Sequence, residues 1–254
     1  MVLHTVWRTL KRWEPHSDLV LLAINPYFIP KKLLRDVLRR EASQLTGDLV
    51  VDVGCGWQPY RSFFDHFQRY VGLDIAVHRH PDVISTADHL PLASGIADAV
   101  LCTEVIEHTC EPKQVCAELA RVLRAGGVLL LSAPMSWNLH YEPYDYYRFT
   151  RHGLVYLLEQ AGLEVMKVIR VGGLISLIGA RLADVIQRKL QCLPVVDRLK
   201  GRSVLATLLV LPVNLCFMVL ASLFDRLDDS DAIGWLVVAC KQACARVSEH
   251  RPAR

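Results

Sequence analysis

The 254-residue chain is predicted to fold as an α/β domain built on a doubly wound, mostly parallel sheet of seven strands. Three observations predict this. Short β-branched apolar runs alternate with amphipathic helical stretches in units of about 30 residues, the rhythm of βαβ crossovers. The first of these runs opens directly onto glycines, in "VVDVGCG". Carboxylates stand at the ends of successive runs, where open α/β sheets bind their ligands.

The elements follow in order. From Lys31 to about Gln44 leucines and valine recur at helical spacing, and Gly47 closes the helix. "LVVDV" is the first buried strand. Pro59 suits the first turn of a helix over "PYRSFFDHF". "YVGLDI" is the second strand, "DVISTAD" a weaker third and "ADAVLCT" the fourth. "PKQVCAELARVL" is an amphipathic helix stopped by Gly126 and Gly127, and "VLLLSAP" is the fifth strand. The helix in "TRHGLVYLLEQAG" ends at Gly162; "LEVMKVIRV" and "AIGWLVVACK" are the last two strands. The sixty or so residues between those two are too many for a bare connection and must hold structure of their own. The expected organisation is an N-terminal helical cap over 1–46, a core over 47–173 and 232–246, an apolar helical insertion over 174–231, and a tail over 247–254.

Bulk properties narrow the classes. A net charge of +3 is too mild to argue for nucleic acid. The eight cysteines form no C-x-x-C pair and no zinc spacing, so a reducing, cytoplasmic setting is expected. The N-terminal "LVLLAI" is too short for a secretory signal. Between Arg202 and Asp225 lie 22 consecutive uncharged residues, a transmembrane candidate by length. Topology argues against a single span, because the last strand must rejoin the sheet; Pro212 and Asn214 suit bent or paired helices. Arg181, Arg188, Lys189, Arg198, Lys200 and Arg202 outnumber Asp184 and Asp197, which suits a peripheral contact with the inner face of a membrane. Trp7 and Trp13 in "VWRTLKRW" could join it. A buried hairpin or a homodimer interface is the alternative.

The first loop poses the sharpest question. A dinucleotide fingerprint reads G-x-G-x-x-G, but after Gly54 and Gly56 the next glycine is Gly72. The rim residues help to decide. Asp74, twenty residues after Gly54, is placed to accept from ribose hydroxyls. Asp52 would sit badly with a pyrophosphate and well with a cationic amino group. Asp88 in "ADHLP" could accept from an exocyclic amine. An adenosine carrying an amino-acid tail, such as S-adenosyl-L-methionine, matches all three. Helix caps and plain turns remain the bland readings of these same residues.

"VVDVGCG", "YVGLD", "TADHLPLASGIADAVLCTEVIEH", "ELARVLRAGGVLLLSAP" and "LEQAGLEV" together resemble, in order, the motifs of class I S-adenosylmethionine-dependent methyltransferases, most nearly the methyltransferase type 11 group. The resemblance implies a Rossmann-like sheet with an antiparallel last strand at Ala232–Lys241. It implies that Asp52, Gly54, Cys55 and Gly56 border the methionine moiety and that Asp74 and Ile75 hold the ribose. Asp88 and His89 would flank the adenine, with Thr103 and Glu104 at the same rim. The family often carries a glycine where this chain has Gln58. The acceptor pocket would be roofed by the segment after strand five, "MSWNLHYEPYDYYRFTRHG", with Trp137, Tyr141, Tyr146, Tyr147 and Arg148 lining it. A planar, sugar-like or lipid-linked small molecule suits such aromatic walls. His140 is the first candidate base and His108 the second; Glu107 and His108 have equally good structural readings. No metal is expected, because His78 and His80 in "HRH" have no accompanying carboxylate pattern. A catalytically silent cofactor-binding or membrane-scaffold protein is the competing function; a nicotinamide oxidoreductase is disfavoured by Asp52 and the missing glycine.

Overall fold

The computed structural model describes residues 25, 27–191, 202–227 and 230–242; the N-terminal segment with Trp7 and Trp13, and the basic residues Arg198 and Lys200, lie outside them. The chain divides into two compact units, one holding residues 36–171 and 232–254, the other 1–35 and 172–231.

The larger unit is one seven-stranded sheet. Its strands are β1 (Leu49–Val53), β2 (Arg69–Asp74), β3 (Val83–Ile84), β4 (Ala97–Thr103), β5 (Leu123–Pro134), β6 (Leu163–Val171) and β7 (Gly234–Lys241), in the order β3-β2-β1-β4-β5-β7-β6. β1 through β5 pair in parallel, and β7 runs antiparallel between β5 and β6. All five residues of β1 are buried, as a central strand covered on both faces requires. The strand order reverses beside β1, between β2 and β4, which makes the carboxyl ends of those three strands the topological switch point.

Helix α1 (Phe28–Ala42) starts three residues before Lys31. Its C-terminal part belongs to this unit, where Leu38 and Ala42 are fully buried and Glu41 accepts a 2.7 Å bond from Lys167 of β6. Helix α2 (Pro112–Val122) begins on a proline and buries Val115, Cys116, Leu119 and Val122 against the sheet. In α3 (Arg151–Gln160) the Thr150 hydroxyl caps the N-terminus by accepting from Gly153 N.

Two expectations need correction. The helix over "PYRSFFDHF" is only a single 3-10 turn at Arg61–Phe64. Aromatic, Ser, Asp and His residues are indifferent helix formers, and here Phe63, Phe64 and Phe67 are buried as a plug instead. Gly126 and Gly127 do not stop α2: it ends at Val122, and the glycines lie within the span of β5, where Leu123 already pairs with Ala97. The weak third strand is real but only two residues long.

The second unit contains a helical hairpin of α4 (Leu174–Gln191) and α5 (Arg202–Phe224). Asp225, just past α5, caps the start of α4 by accepting from Gly173 N, Ile175 N and Ser176 N. The helices cross closely at Gly179, where a Cβ would come within 2.3 Å of Phe217. α5 continues through Pro212. Among the described residues no helix is long and apolar enough to cross a membrane.

Candidate active site

The rim at the switch point is built from two adjoining groups of side chains. In the first, β1 delivers Asp52, which is 1% exposed. One of its carboxylate oxygens accepts from the Tyr70 hydroxyl, while Oδ1, also buried, has no hydrogen-bond partner. Burial pushes its pKa up to about 7, and the neighbouring Asp74 charge adds to the rise against the Tyr70 bond. A buried acceptor with an unused oxygen is a receptor for a cationic donor.

The glycine loop that follows folds back onto β2. Gly54 N and Cys55 N both donate to Leu73 O, and Gly56 N donates to Asp74 Oδ2 at 2.8 Å. Asp74 Oδ1 accepts from Ala76 N, and Arg79 Nη1 stands 3.4 Å from Oδ2. Gly54 has φ +72°, and a Cβ there would lie 2.2 Å from Val105 Cγ2. Its glycine is therefore demanded by the β4 loop, not by a ligand. Gly56, at φ +56°, is different: only Arg79 Nη1, at 3.5 Å, would touch an added Cβ, so this side of the loop is open for close approach. Cys55 turns inward against Gly72, so only its backbone borders the rim.

Gln58 takes the place of the family's frequent third glycine. Its φ is +54°, the left-handed conformation that glycine adopts without cost. The far side of the loop therefore keeps the glycine shape with a side chain in place, and Gln58 Oε1 accepts from Arg61 Nη1 at 2.8 Å.

Asp88 is half-buried and His89 exposed, on a loop held from behind by α2. Glu118 accepts from Leu90 N at 2.8 Å, and Arg121 donates to Leu90 O and Leu92 O. The Arg121 hydrogen bond holds the Glu118 carboxyl below its usual range. Ile75 and Trp57 are 68% and 66% exposed at the same rim. Trp57 and Arg79 join this rim without a motif to mark them, Arg79 lying in "HRH", whose histidines are the more conspicuous residues.

The second group lies at the ends of β4 and β5. Thr103 is half-buried, and Glu104 has φ +53° and accepts from the Ser132 hydroxyl at 2.8 Å. Glu104 is exposed by surface area, yet its carboxylate end is ringed closely enough by protein that desolvation raises its pKa. The 3-10 turn Ile106–His108 then places Glu107 at 0% exposure, with neither carboxylate oxygen accepting a hydrogen bond. Burial, reinforced by the Glu104 charge, raises the Glu107 pKa well above the usual carboxylate value.

The loop after β5 brings His140 to His108, their ring centroids 4.7 Å apart, with Tyr141 5.4 Å from His108. His108 Nδ1 donates to Tyr144 O at 2.6 Å, and burial lowers its pKa. His140 Nδ1 is 3.1 Å from Asn138 O and 3.3 Å from Asp145 Oδ2. Asp145 is gripped by both terminal nitrogens of Arg148, which hold its carboxyl far below the usual range. Arg148 also donates to Trp137 O, Asn138 O and Tyr147 O. All of its donors thus serve to shape the loop. Tyr147 donates its hydroxyl to Cys110 O. Tyr141 and Tyr146 present exposed rings, and Trp137 is half-buried.

A family profile described as a methyltransferase domain matches residues 51–131, the segment from β1 to β5 that carries most of this rim. A probable S-adenosylmethionine-dependent methyltransferase of Mycolicibacterium smegmatis is 31% identical over 176 residues, covering 61% of this chain and 68% of the relative. The chain belongs to the class I S-adenosylmethionine-dependent methyltransferases. The methyltransferase is also 30% identical over 117 residues to the human thiol S-methyltransferase TMT1B, covering 39% of this chain and 46% of that protein. Among solved structures, the [4+2]-cyclase SpnF shares the fold, with TM-score 0.53, 19% identity, and coverage of 82% of this methyltransferase and 81% of that chain. The enzyme's cofactor is S-adenosyl-L-methionine. The first group of residues fits it: an orphaned buried carboxylate oxygen at Asp52, an acidic end to β2, and an open glycine between them.

Proposed function

We propose that this methyltransferase alkylates a small acceptor carrying an ionisable thiol or hydroxyl, bound beneath the 135–148 loop and deprotonated at the His108–His140 pair. Asp52 would hold the cofactor's ammonium, Gly56 and the Cys55 backbone its methionine chain, Asp74 and Ile75 the ribose, and Asp88 and His89 the adenine. Bound there, the cofactor supplies an electrophilic methyl group on a sulfonium centre. Thr103 and Glu104, at the end of β4, would complete the cofactor's side of the second group.

The observation that carries the acceptor assignment is the histidine pair itself. Both Nδ1 atoms face carbonyl or carboxylate oxygens, so both carry hydrogen, and Nε2 is the nitrogen of each ring that can take up a proton. A positioned base contributes about 10²–10⁴-fold where the acceptor must lose a proton. Tyr141, Tyr146 and Trp137 supply apolar walls for a ring or short chain. The thiol acceptor named for the human relative supports a small thiol within this class.

The reading extends to location. Leu215, Val219 and Leu223 make an exposed stripe on α5, and Ile178, Leu182 and Val185 another on α4, beside Arg181, Arg188 and Lys189. Such faces support peripheral membrane contact, the setting in which amphipathic or lipid-linked acceptors are found. Sedimentation with anionic liposomes should carry the protein down, and Val219→Glu/Leu223→Glu should leave it in the supernatant; a wild type that stays soluble as a monomer rejects the contact.

The activity test is transfer of labelled methyl to a panel of small thiols and phenols. His140→Ala should lower kcat at least 100-fold without weakening S-adenosylhomocysteine binding. Unchanged turnover in both His140→Ala and His108→Ala would remove the histidines from the mechanism.

A further inference from the structure

We propose that Glu107, His108 and His140 form a binding site for a divalent first-row transition ion, with zinc as its natural probe. Among the described residues this is the one grouping of histidine, cysteine and carboxylate side chains close enough to share an ion, with one donor atom from each within 4.8 Å of the others. Spacing alone does not mark them as ligands of one ion, because 32 positions separate His108 from His140 and the loop after β5 brings the two rings together.

Glu107 is the first independent sign. It is completely buried, and neither of its oxygens accepts a hydrogen bond. A buried carboxylate in that condition is costly unless something positive meets it. Its nearest cationic candidate is His108, whose Nε2 lies 3.6 Å from Glu107 Oε1, too far for a hydrogen bond.

The second sign is the tautomer of each ring. Tyr144 O can only accept, so His108 Nδ1 carries the hydrogen and Nε2 presents its lone pair toward Glu107. The same reasoning applies to His140: Nδ1 faces Asn138 O and Asp145 Oδ2, leaving Nε2 as the donor atom for a ligand. Carbonyls and a carboxylate that fix the far nitrogen are the usual outer shell of a metal-bound histidine. Asp145 is itself fixed, by the two-pronged grip of Arg148 and by His140 N. Two imidazole nitrogens and one carboxylate oxygen favour zinc, iron(II) or cobalt(II) over magnesium or calcium, which prefer all-oxygen sets. Tetrahedral coordination at 2.0–2.2 Å needs donor atoms about 3.4 Å apart. The Glu107–His108 pair is already near that at 3.6 Å, and the three donor atoms lie within 4.8 Å of one another.

Three protein ligands leave a fourth position open, and the Tyr141 ring stands beside both imidazoles. Resting on the acceptor reading above, an acceptor thiol or hydroxyl would fill it, surrendering its proton to solvent as it binds. In the metal-loaded protein the ion, not a free imidazole, would lower the acceptor's pKa. Metal binding itself is independent of that reading and is measured without methyl donor or acceptor.

The test uses the full chain, stripped with chelator and titrated with cobalt(II), then zinc. One equivalent of cobalt should bind with visible d–d absorption and be displaced by one of zinc. His140→Ala and Glu107→Gln should each weaken zinc by more than about 100-fold, beyond the 10–100-fold typical of outer-shell losses. Gln matches the size and shape of Glu107 and carries no charge to bury, so the melting point of Glu107→Gln should not fall, which keeps a loss of binding interpretable. The pair His78→Ala/His80→Ala should bind as the wild type does. Absence of saturable uptake by the folded wild type, or equal uptake by His140→Ala, or loss only in the His78/His80 variant, would each overturn the site.

Discussion

Gly54→Ala offers the most quantitative probe of how the first loop is built. The added Cβ would sit 2.2 Å from Val105 Cγ2 and 3.3 Å from Val105 Cβ and Cγ1, on a residue whose φ is +72°. Two costs follow. Left-handed backbone costs a non-glycine residue about 1–2 kcal/mol. Forcing a methyl into packed surroundings costs about 1–3 kcal/mol more. The sum, about 2–5 kcal/mol, should lower the melting temperature by about 4–20 °C at the 2–4 °C per kcal/mol expected for a domain of this size. The costs can be separated because Val105→Ala removes both Cγ atoms. In that background Gly54→Ala should cost only the backbone part, leaving a coupling of about 1–3 kcal/mol in a double-mutant cycle. Urea unfolding of the four proteins measures it. Additive effects within about 0.5 kcal/mol would refute the claim that Val105, rather than a ligand, dictates the glycine.

Asp52, pushed up to about 7, should make cofactor binding pH-dependent. An ammonium needs the ionised form, so S-adenosylhomocysteine affinity should weaken about tenfold from pH 8 to pH 6, while the unliganded protein gains stability over the same descent because the buried ion is its costly form. Calorimetry should find the slope gone in Asp52→Asn; a flat wild-type profile would contradict the assignment. Glu118 works in the opposite direction: its folded pKa is depressed, so its contribution is full above the ordinary carboxylate range and lost as pH falls through the folded value. Glu118→Ala should cost about 1.5–3 kcal/mol and weaken cofactor binding by loosening the Asp88 loop; unchanged binding would unlink that clamp from the site. Gln58→Gly should leave cofactor affinity within about twofold, since the left-handed turn is already present; a larger change would give the Gln58 side chain a direct role.

Much of this was legible before any coordinates. β1, β2 and β4 announce themselves as β-branched runs, and the carboxylates at their ends follow from chain spacing, because the parallel strands bring those ends to one rim. The loop after Gly56 was not legible: nothing in the identity of Gln58 shows that it holds a glycine's backbone angle. Tertiary packing also overrode local signals. The aromatic plug of Phe63, Phe64 and Phe67 replaced a predicted helix, and Gly126–Gly127 fell inside β5 rather than at a helix end. Arg148 is expected at the acceptor pocket because the resemblance makes the segment after strand five its roof; that its five donors are engaged by Asp145 and three carbonyls is visible only in the structure. The pairing of His108 with His140 depends on a loop path that no periodicity encodes.

In the proposed mechanism the cofactor rim at Asp52–Asp74 and the histidine pair at the end of β4 serve one methyl transfer. The most direct measurement is single-turnover transfer of labelled methyl to a small thiol, run in parallel on the wild type, Asp74→Ala and His140→Ala. Asp74→Ala should need far more cofactor for the same turnover. His140→Ala should bind S-adenosylhomocysteine normally and transfer at least 100-fold more slowly. Wild-type protein that binds the cofactor and methylates no thiol or phenol, or a His140→Ala variant that transfers at the wild-type rate, would contradict the account.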